Sequence, residues 1–132
     1  MSFLTDHLTF RYPHGDASAI DDISFAVTPG RLFAIIGPNG SGKSTLIRAL
    51  LGSITPAHGT VTYAKRAIGD WPRAELARRV GAVTQIEEMP FPVSVRELVS
   101  MGRYPHLGPL RSEGDADRGA VDAALQRCDV AG

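Results

Sequence analysis

The chain has 132 residues, 14 basic and 14 acidic, and 43% of it is hydrophobic. It is long enough to bury a core and too apolar for a disordered protein. The cancelling charges give no ground for a nucleic-acid partner or for direct adhesion to an anionic membrane.

The opening residues Met1-Ser-Phe-Leu-Thr-Asp6 lack the basic and apolar regions of a signal peptide. Phe3 to Phe10 alternate loosely and predict a strand, with a turn at Pro13-His-Gly15. Ile23 to Val27 predict a second strand, closed by Pro29-Gly30. Leu32-Phe-Ala-Ile-Ile36 is a continuous apolar run of the kind a strand buried on both faces shows. After a glycine-rich turn, Thr45 to Leu51 predict a short helix ended by Gly52. Thr60-Val-Thr-Tyr63 predicts another strand, introduced by Pro56-Ala-His-Gly59. Asp70 can cap a short helix that carries Pro72 in its first turn and runs through Arg78. Val80 to Val83 predict a strand ending at Gln85. Ser94-Val-Arg-Glu97 has capping-box spacing and predicts a helix stopping near Gly102, followed by a loop from Tyr104 to about Gly114. Asp115 to Asp129 predict a last helix with Ala120, Val121, Ala124, Leu125 and Cys128 on one face. Cys128 is the single cysteine; it reads as a small apolar helix residue in a reducing cytosol. No apolar stretch reaches the ~20 residues of a membrane-spanning helix. The first two-thirds of the chain thus reads as sheet wrapped on a central helix, and the last third as helical.

The run Gly37-Pro-Asn-Gly-Ser-Gly-Lys-Ser44 fits the phosphate-loop template G-x-x-x-x-G-K-[ST] at every fixed position, between a predicted strand and a predicted helix. Such a loop works because successive backbone N–H groups converge on an anion. Gly37, Gly40 and Gly42 permit the turn and leave room for phosphate oxygens, with Pro38, Asn39 and Ser41 between them. The start of the following helix adds partial positive charge. Lys43 is placed to reach the β- and γ-phosphates, the Ser44 hydroxyl to ligate Mg²⁺, and Thr45 to act near the α-phosphate. The plainer alternative is a glycine-rich turn beside a solvated lysine, and the context on both sides disfavours it.

With Ile20-Asp-Asp-Ile-Ser-Phe-Ala-Val27 and Pro29-Gly30 ahead of it, this loop resembles that of the nucleotide-binding subunits of ABC transporters. The resemblance implies an α/β fold, a P-loop NTPase core with a mixed sheet around the loop's helix. Residues 1–86 would hold the core with its P-loop and Q-loop, and residues 87–132 the incomplete start of a helical subdomain. It places Tyr12 where the family stacks an aromatic on adenine, a match of two flat polarisable faces; spacing alone leaves a half-buried strand-end aromatic equally open. Gln85 matches the Q-loop glutamine, near Mg²⁺ and the attacking water, where a side-chain amide can ligate the metal or orient the water. Read alone, it is a polar loop residue. Phe91-Pro-Val-Ser-Val-Arg-Glu-Leu-Val-Ser-Met-Gly-Arg-Tyr-Pro-His-Leu-Gly108 and Asp117-Arg-Gly-Ala-Val-Asp-Ala-Ala-Leu125 are similar to segments of importer ATPases for iron–siderophore complexes, haem and cobalamin. Zinc and manganese importers share the Met-Gly-Arg-Tyr run. His106, a lone histidine in a subunit that cargo does not enter, is not read as a metal ligand.

The implied cofactors are ATP and Mg²⁺. The implied partners are a membrane permease and a second ATP-binding subunit, a homodimer in the parent protein. The implied place is cytoplasmic, peripheral to the inner face of the cell membrane, with membrane contact only through the permease. The implied reaction is ATP hydrolysis coupled to uptake of a metal chelate. The family's Leu-Ser-Gly-Gly-Gln signature, its apolar strand ending in Asp-Glu and its later histidine do not occur in these residues; His7, His14, His58 and His106 all lie too early. The expectation is therefore a truncated chain that binds nucleotide without turning it over, with apolar faces of the Leu32 strand and its helix exposed and low stability in isolation. Competing readings are a non-catalytic fragment, a zinc or manganese importer ATPase, and a small-molecule kinase. Tyr12, Gln85 and Arg103-Tyr-Pro-His106 argue against the kinase.

Overall fold

A computed structural model describes residues 2–13, 17–83, 92–108 and 111–130. Two compact units divide between Trp71 and Pro72, whereas the resemblance sets a boundary after residue 86.

The first unit is built on a four-stranded antiparallel sheet of β1 (Phe3–Phe10), β2 (Ile20–Val27), β3 (His58–Tyr63) and β4 (Arg66–Ala67), in the order β2-β1-β3-β4. β1 is central. Its Thr5 faces Phe25 on one side and Val61 on the other. Leu8, Ile20, Val61 and Tyr63 are buried, as are Leu46 and Ala49 of the helix α1 (Lys43–Leu50). On β3 the buried Val61 and Tyr63 alternate with Thr60 and Thr62, whereas β1 buries Thr5 and Leu8, three residues apart, and leaves Leu4 exposed. Phe3, Tyr63 and Trp71 form a row of rings with centroids 4.7 and 5.5 Å apart, and the Arg66 guanidinium lies over Trp71 at 5.1 Å.

The ladder of β1 slips on both sides, between Thr5 and Leu8 toward β2 and between Asp6 and Thr9 toward β3. His7 and Asp22 both take φ 48° at the irregularity. Hydroxyls receive the displaced backbone donors: His7 N–H donates to Ser24 Oγ at 2.8 Å and Asp22 N–H to Thr9 Oγ1 at 3.0 Å. The side chains then pair, His7 Nδ1 to Asp22 Oδ1 at 2.6 Å. Gly59, at φ +77°, crosses so near the carbonyls of Asp6 and His7 that any Cβ there would collide with them.

Three sequence expectations are corrected. Leu32 to Ile36 and Val80 to Val83 are irregular rather than strands, and Leu32, Ile36 and Val83 are exposed at 99%, 91% and 101%. A strand buried on both faces exists only where strands flank it and helices cover it. Among the described residues no strand pairs with either segment, and only Phe33 finds a ring, stacked on Phe25 at 4.9 Å and 14°. The strand pairings among the described residues are antiparallel. The exposure expected of the Leu32 segment and its helix is found, with Ile47 44% exposed. Asp70 closes a 3-10 turn (Ile68–Asp70) instead of capping a helix; Pro72 is the N-cap of α2 (Arg73–Ala77). Proline's fixed φ suits that entry.

The second unit holds α2, α3 (Val95–Met101), a 3-10 turn (Tyr104–His106) and α4 (Asp115–Arg127). The capping box of α3 forms: Glu97 N–H donates to Ser94 Oγ at 3.2 Å, and Ser94 N–H to Glu97 Oε2 at 2.8 Å. Val121 and Leu125 are the buried residues of α4, and Cys128 is exposed. The start of α4 is tied down by Asp117, whose Oδ2 accepts Gly114 N–H at 3.1 Å and whose Oδ1 receives Arg103 Nη2 at 2.9 Å. Arg96 pairs with Asp122 at 2.6 Å, and Arg78 Nε donates to the Pro105 carbonyl. No helix among the described residues is long and apolar enough to cross a membrane.

Candidate functional site

The loop from Gly37 to Gly42 turns through Ser41 N–H, which donates to the Pro38 carbonyl at 3.3 Å. Gly40 and Gly42 take φ +81° and +86°, a region where a side chain is strained. Gly42 is the N-cap of α1, whose first intrahelical bond runs from Leu46 N–H to the Gly42 carbonyl at 2.8 Å. Glycine offers no side-chain acceptor there, and the first turn holds no acidic residue. The start of α1 is thus left open to an anion.

Lys43 stands at that opening. Its ammonium donates to the carbonyls of Gly37 at 2.9 Å and Pro38 at 2.7 Å, with Ser41 Oγ at 3.5 Å. Bending back over the loop keeps the cation where incoming phosphate oxygens would lie. Ser44 is exposed in the first turn, and Thr45 is buried beneath it. A cleft of about 500 Å³ opens beside the loop, lined among others by Ile20, Asp21, Ile36, Gly37, Lys43 and Leu46. The donor set fits a polyphosphate: backbone N–H groups, an ammonium and hydroxyls, with one carboxylate, Asp21, on the rim.

Tyr12 joins this group. Its hydroxyl lies 3.2 Å from Thr45 Oγ1, its ring meets the Phe10 ring edge-on at 4.9 Å, and it is 40% exposed. The fold therefore gathers Tyr12 and Gly37 to Thr45 at one place, while Gln85 lies outside the described residues. Two participants were not legible in the sequence. Ala19 N–H donates to the Phe10 carbonyl at 2.8 Å, and the Ala19 carbonyl presses on Gly42 so closely that a Cβ would strike it. Neither residue has chemistry of its own to announce the role; both act through backbone.

The family model for ABC transporters matches residues 20–131. The chain belongs to the ABC transporter family. Its fold is accordingly that of a P-loop NTPase, of mixed α and β structure. The chain is 38% identical over 116 residues to the hemin import ATP-binding protein HmuV of Pseudomonas entomophila, which covers 88% of this chain and 44% of that protein. It is 41% identical over 112 residues to the cobalamin import ATP-binding protein BtuD of Halobacterium salinarum, covering 85% and 28%. The chain spans less than half the length of these relatives. Among solved structures it resembles an ABC transporter described as metal-chelate type in an inward-facing conformation, with TM-score 0.79, 26% identity, and coverage of 98% of this chain and 45% of that one. A bacterial Atm1-family ABC exporter with ATP bound gives TM-score 0.76, 28% identity and coverage of 98% and 21%.

Proposed function

We propose that the chain is the ATP-binding part of an ABC importer ATPase whose parent protein couples ATP hydrolysis to uptake of an iron–siderophore, haem or cobalamin cargo. The observation that carries this reading is the Gly37–Thr45 loop, where an uncapped helix start and the Lys43 ammonium lie together beside an open cleft. The names of two relatives, hemin and cobalamin import proteins, support the haem or cobalamin part of this reading.

In this reading the backbone of Gly37, Pro38, Asn39, Gly40, Ser41 and Gly42 wraps the phosphates, and Lys43 moves from its carbonyl partners to the β- and γ-phosphate oxygens. Ser44 and Gln85 would hold Mg²⁺, Thr45 would act near the α-phosphate, and the half-exposed Tyr12 would stack on adenine. Mg²⁺, when bound, neutralises charge on the phosphates. Hydrolysis needs a positioned water and charge stabilisation on both sides of phosphorus. These 132 residues carry no Leu-Ser-Gly-Gly-Gln signature and no apolar strand ending in Asp-Glu. The partners in this reading are a membrane permease and a second ATP-binding subunit facing the loop, and the place is the cytoplasmic face of the cell membrane.

Titration calorimetry with Mg-ATP tests the site. Lys43→Ala is expected to abolish binding, and unchanged affinity removes the assignment. Phosphate release by the chain alone is expected at background; Lys43-dependent turnover would overturn the non-hydrolytic part. Neighbouring genes encoding a permease and a binding protein would identify the cargo, which those proteins select.

A further inference from the structure

Tyr12 and Thr45 lie 33 residues apart in sequence, yet their hydroxyls stand 3.2 Å apart. The bond sits in a frame that leaves it little freedom. The Phe10 ring abuts Tyr12 at 85°, the Phe10 carbonyl holds Ala19 N–H, and the Ala19 carbonyl rests against Gly42. Thr45 is 7% exposed, so its hydroxyl has few partners to choose from, while Tyr12 is 40% exposed.

A hydroxyl carries one hydrogen and two lone pairs. If Tyr12 donates to Thr45, the threonine keeps its own hydrogen for an anion in the loop. If Thr45 donates to Tyr12, that donor is lost to the site. An anion in the loop favours the first arrangement, because only that one offers it a further hydrogen bond. The phenol is also the more acidic hydroxyl of the two, which makes it the better donor.

We propose that the Tyr12 hydroxyl is a positioning group for phosphate: it accepts no base and touches no phosphate, but orients Thr45 Oγ1 as a donor into the loop. Tyr12 then has two separable contributions, its ring to the base and its hydroxyl, through Thr45, to the polyphosphate. This rests on the reading of the loop as a nucleotide site.

The test is calorimetric titration of the purified chain with Mg-ATP and with Mg-tripolyphosphate, which has no base to stack. Tyr12→Phe keeps the ring and removes the hydroxyl. Loss of one neutral hydrogen bond corresponds to about three- to tenfold in affinity. Tyr12→Phe is expected to weaken both ligands by that factor, Thr45→Val to do the same, and the double variant to be no weaker than Thr45→Val alone. Thr45→Ser, which keeps the hydroxyl, is expected to retain the sensitivity to Tyr12→Phe. Unchanged tripolyphosphate affinity in Tyr12→Phe, or fully additive effects in the double variant, overturns the inference while Lys43-dependent ATP binding still stands. A wild-type chain that binds neither ligand overturns the nucleotide reading and this inference together. If Thr45→Val does not fold, the response of Tyr12→Phe to the two ligands decides alone.

Discussion

Gly42→Ala probes the geometry of the loop more sharply than any charged residue. Gly42 holds φ +86°, and an added Cβ would run into the carbonyl oxygen of Ala19. Gly40 holds φ +81° with nothing within 4 Å of the same added atom. Both substitutions incur the left-handed strain of an L-residue, about 1–2 kcal/mol. Only Gly42→Ala also forces backbone apart, and overpacking of that kind costs about 1–3 kcal/mol. Gly40→Ala should therefore cost about 1–2 kcal/mol and Gly42→Ala about 2–5 kcal/mol, a large share of the ~5–15 kcal/mol that holds a typical domain. Urea unfolding followed by circular dichroism measures the difference. With a slope near ~1–3 kcal/mol per molar, the midpoints of the two variants should separate by about 1 M. Equal midpoints would refute the reasoning, because they would mean that the Ala19 carbonyl does not bear on the loop.

Three further outcomes are expected. The His7 pKa is raised above its ordinary 6.5, first by the hydrogen bond to Asp22 and then by the charges of Asp22 and Asp6; its contribution to stability is therefore full below pH 6.5 and is lost as pH rises through the raised value. A proton NMR titration should find that elevation and lose it in Asp22→Asn, and an ordinary value in the wild type would contradict the pairing. Glu97 and Asp117 are lowered instead, Glu97 by its hydrogen bonds with Ser94 and Asp117 by Gly114 N–H and then Arg103. Their contributions are present above the ordinary carboxylate range and vanish as pH falls through the lowered values, so Asp117→Asn should flatten the acid limb of a melting-temperature profile. Replacing the exposed Leu32 and Ile36 by Ser should reduce self-association in sedimentation without lowering the urea midpoint, since almost none of their surface is buried; a clear loss of stability would show that these side chains pack.

Local chemistry made much of the architecture legible. Ser94 and Glu97 announce a capping box by type and spacing, and it forms. Gly52 after the α1 region and the apolar positions Val121 and Leu125 of α4 bound and orient their helices as read. β1 is recovered over its full range, whereas β2 starts at Ile20, earlier than Ile23, because pairing to Phe10 extends it. The apolar runs at Leu32 and Val80 were misread for a different reason: an uninterrupted run reports that a segment can be buried, and only neighbours bury it. The turn from Gly37 to Gly42 was legible because glycine spacing writes backbone conformation directly, and Gly40 and Gly42 do take positive φ. Tyr12 could be placed only through the family resemblance, and its bond to Thr45, like the Arg103–Asp117 clamp, depends on residues brought together by the chain's path.

Lys43 has a history before any ligand arrives. A cation beside the positive end of a helix is poorly placed on electrostatic grounds, yet here the carbonyl oxygens of Gly37 and Pro38 surround it. The loop thus solvates its own lysine. Under the proposed reading, a phosphate would replace those two carbonyls as the partner of the ammonium, an exchange of one set of oxygens for another rather than the capture of a bare cation.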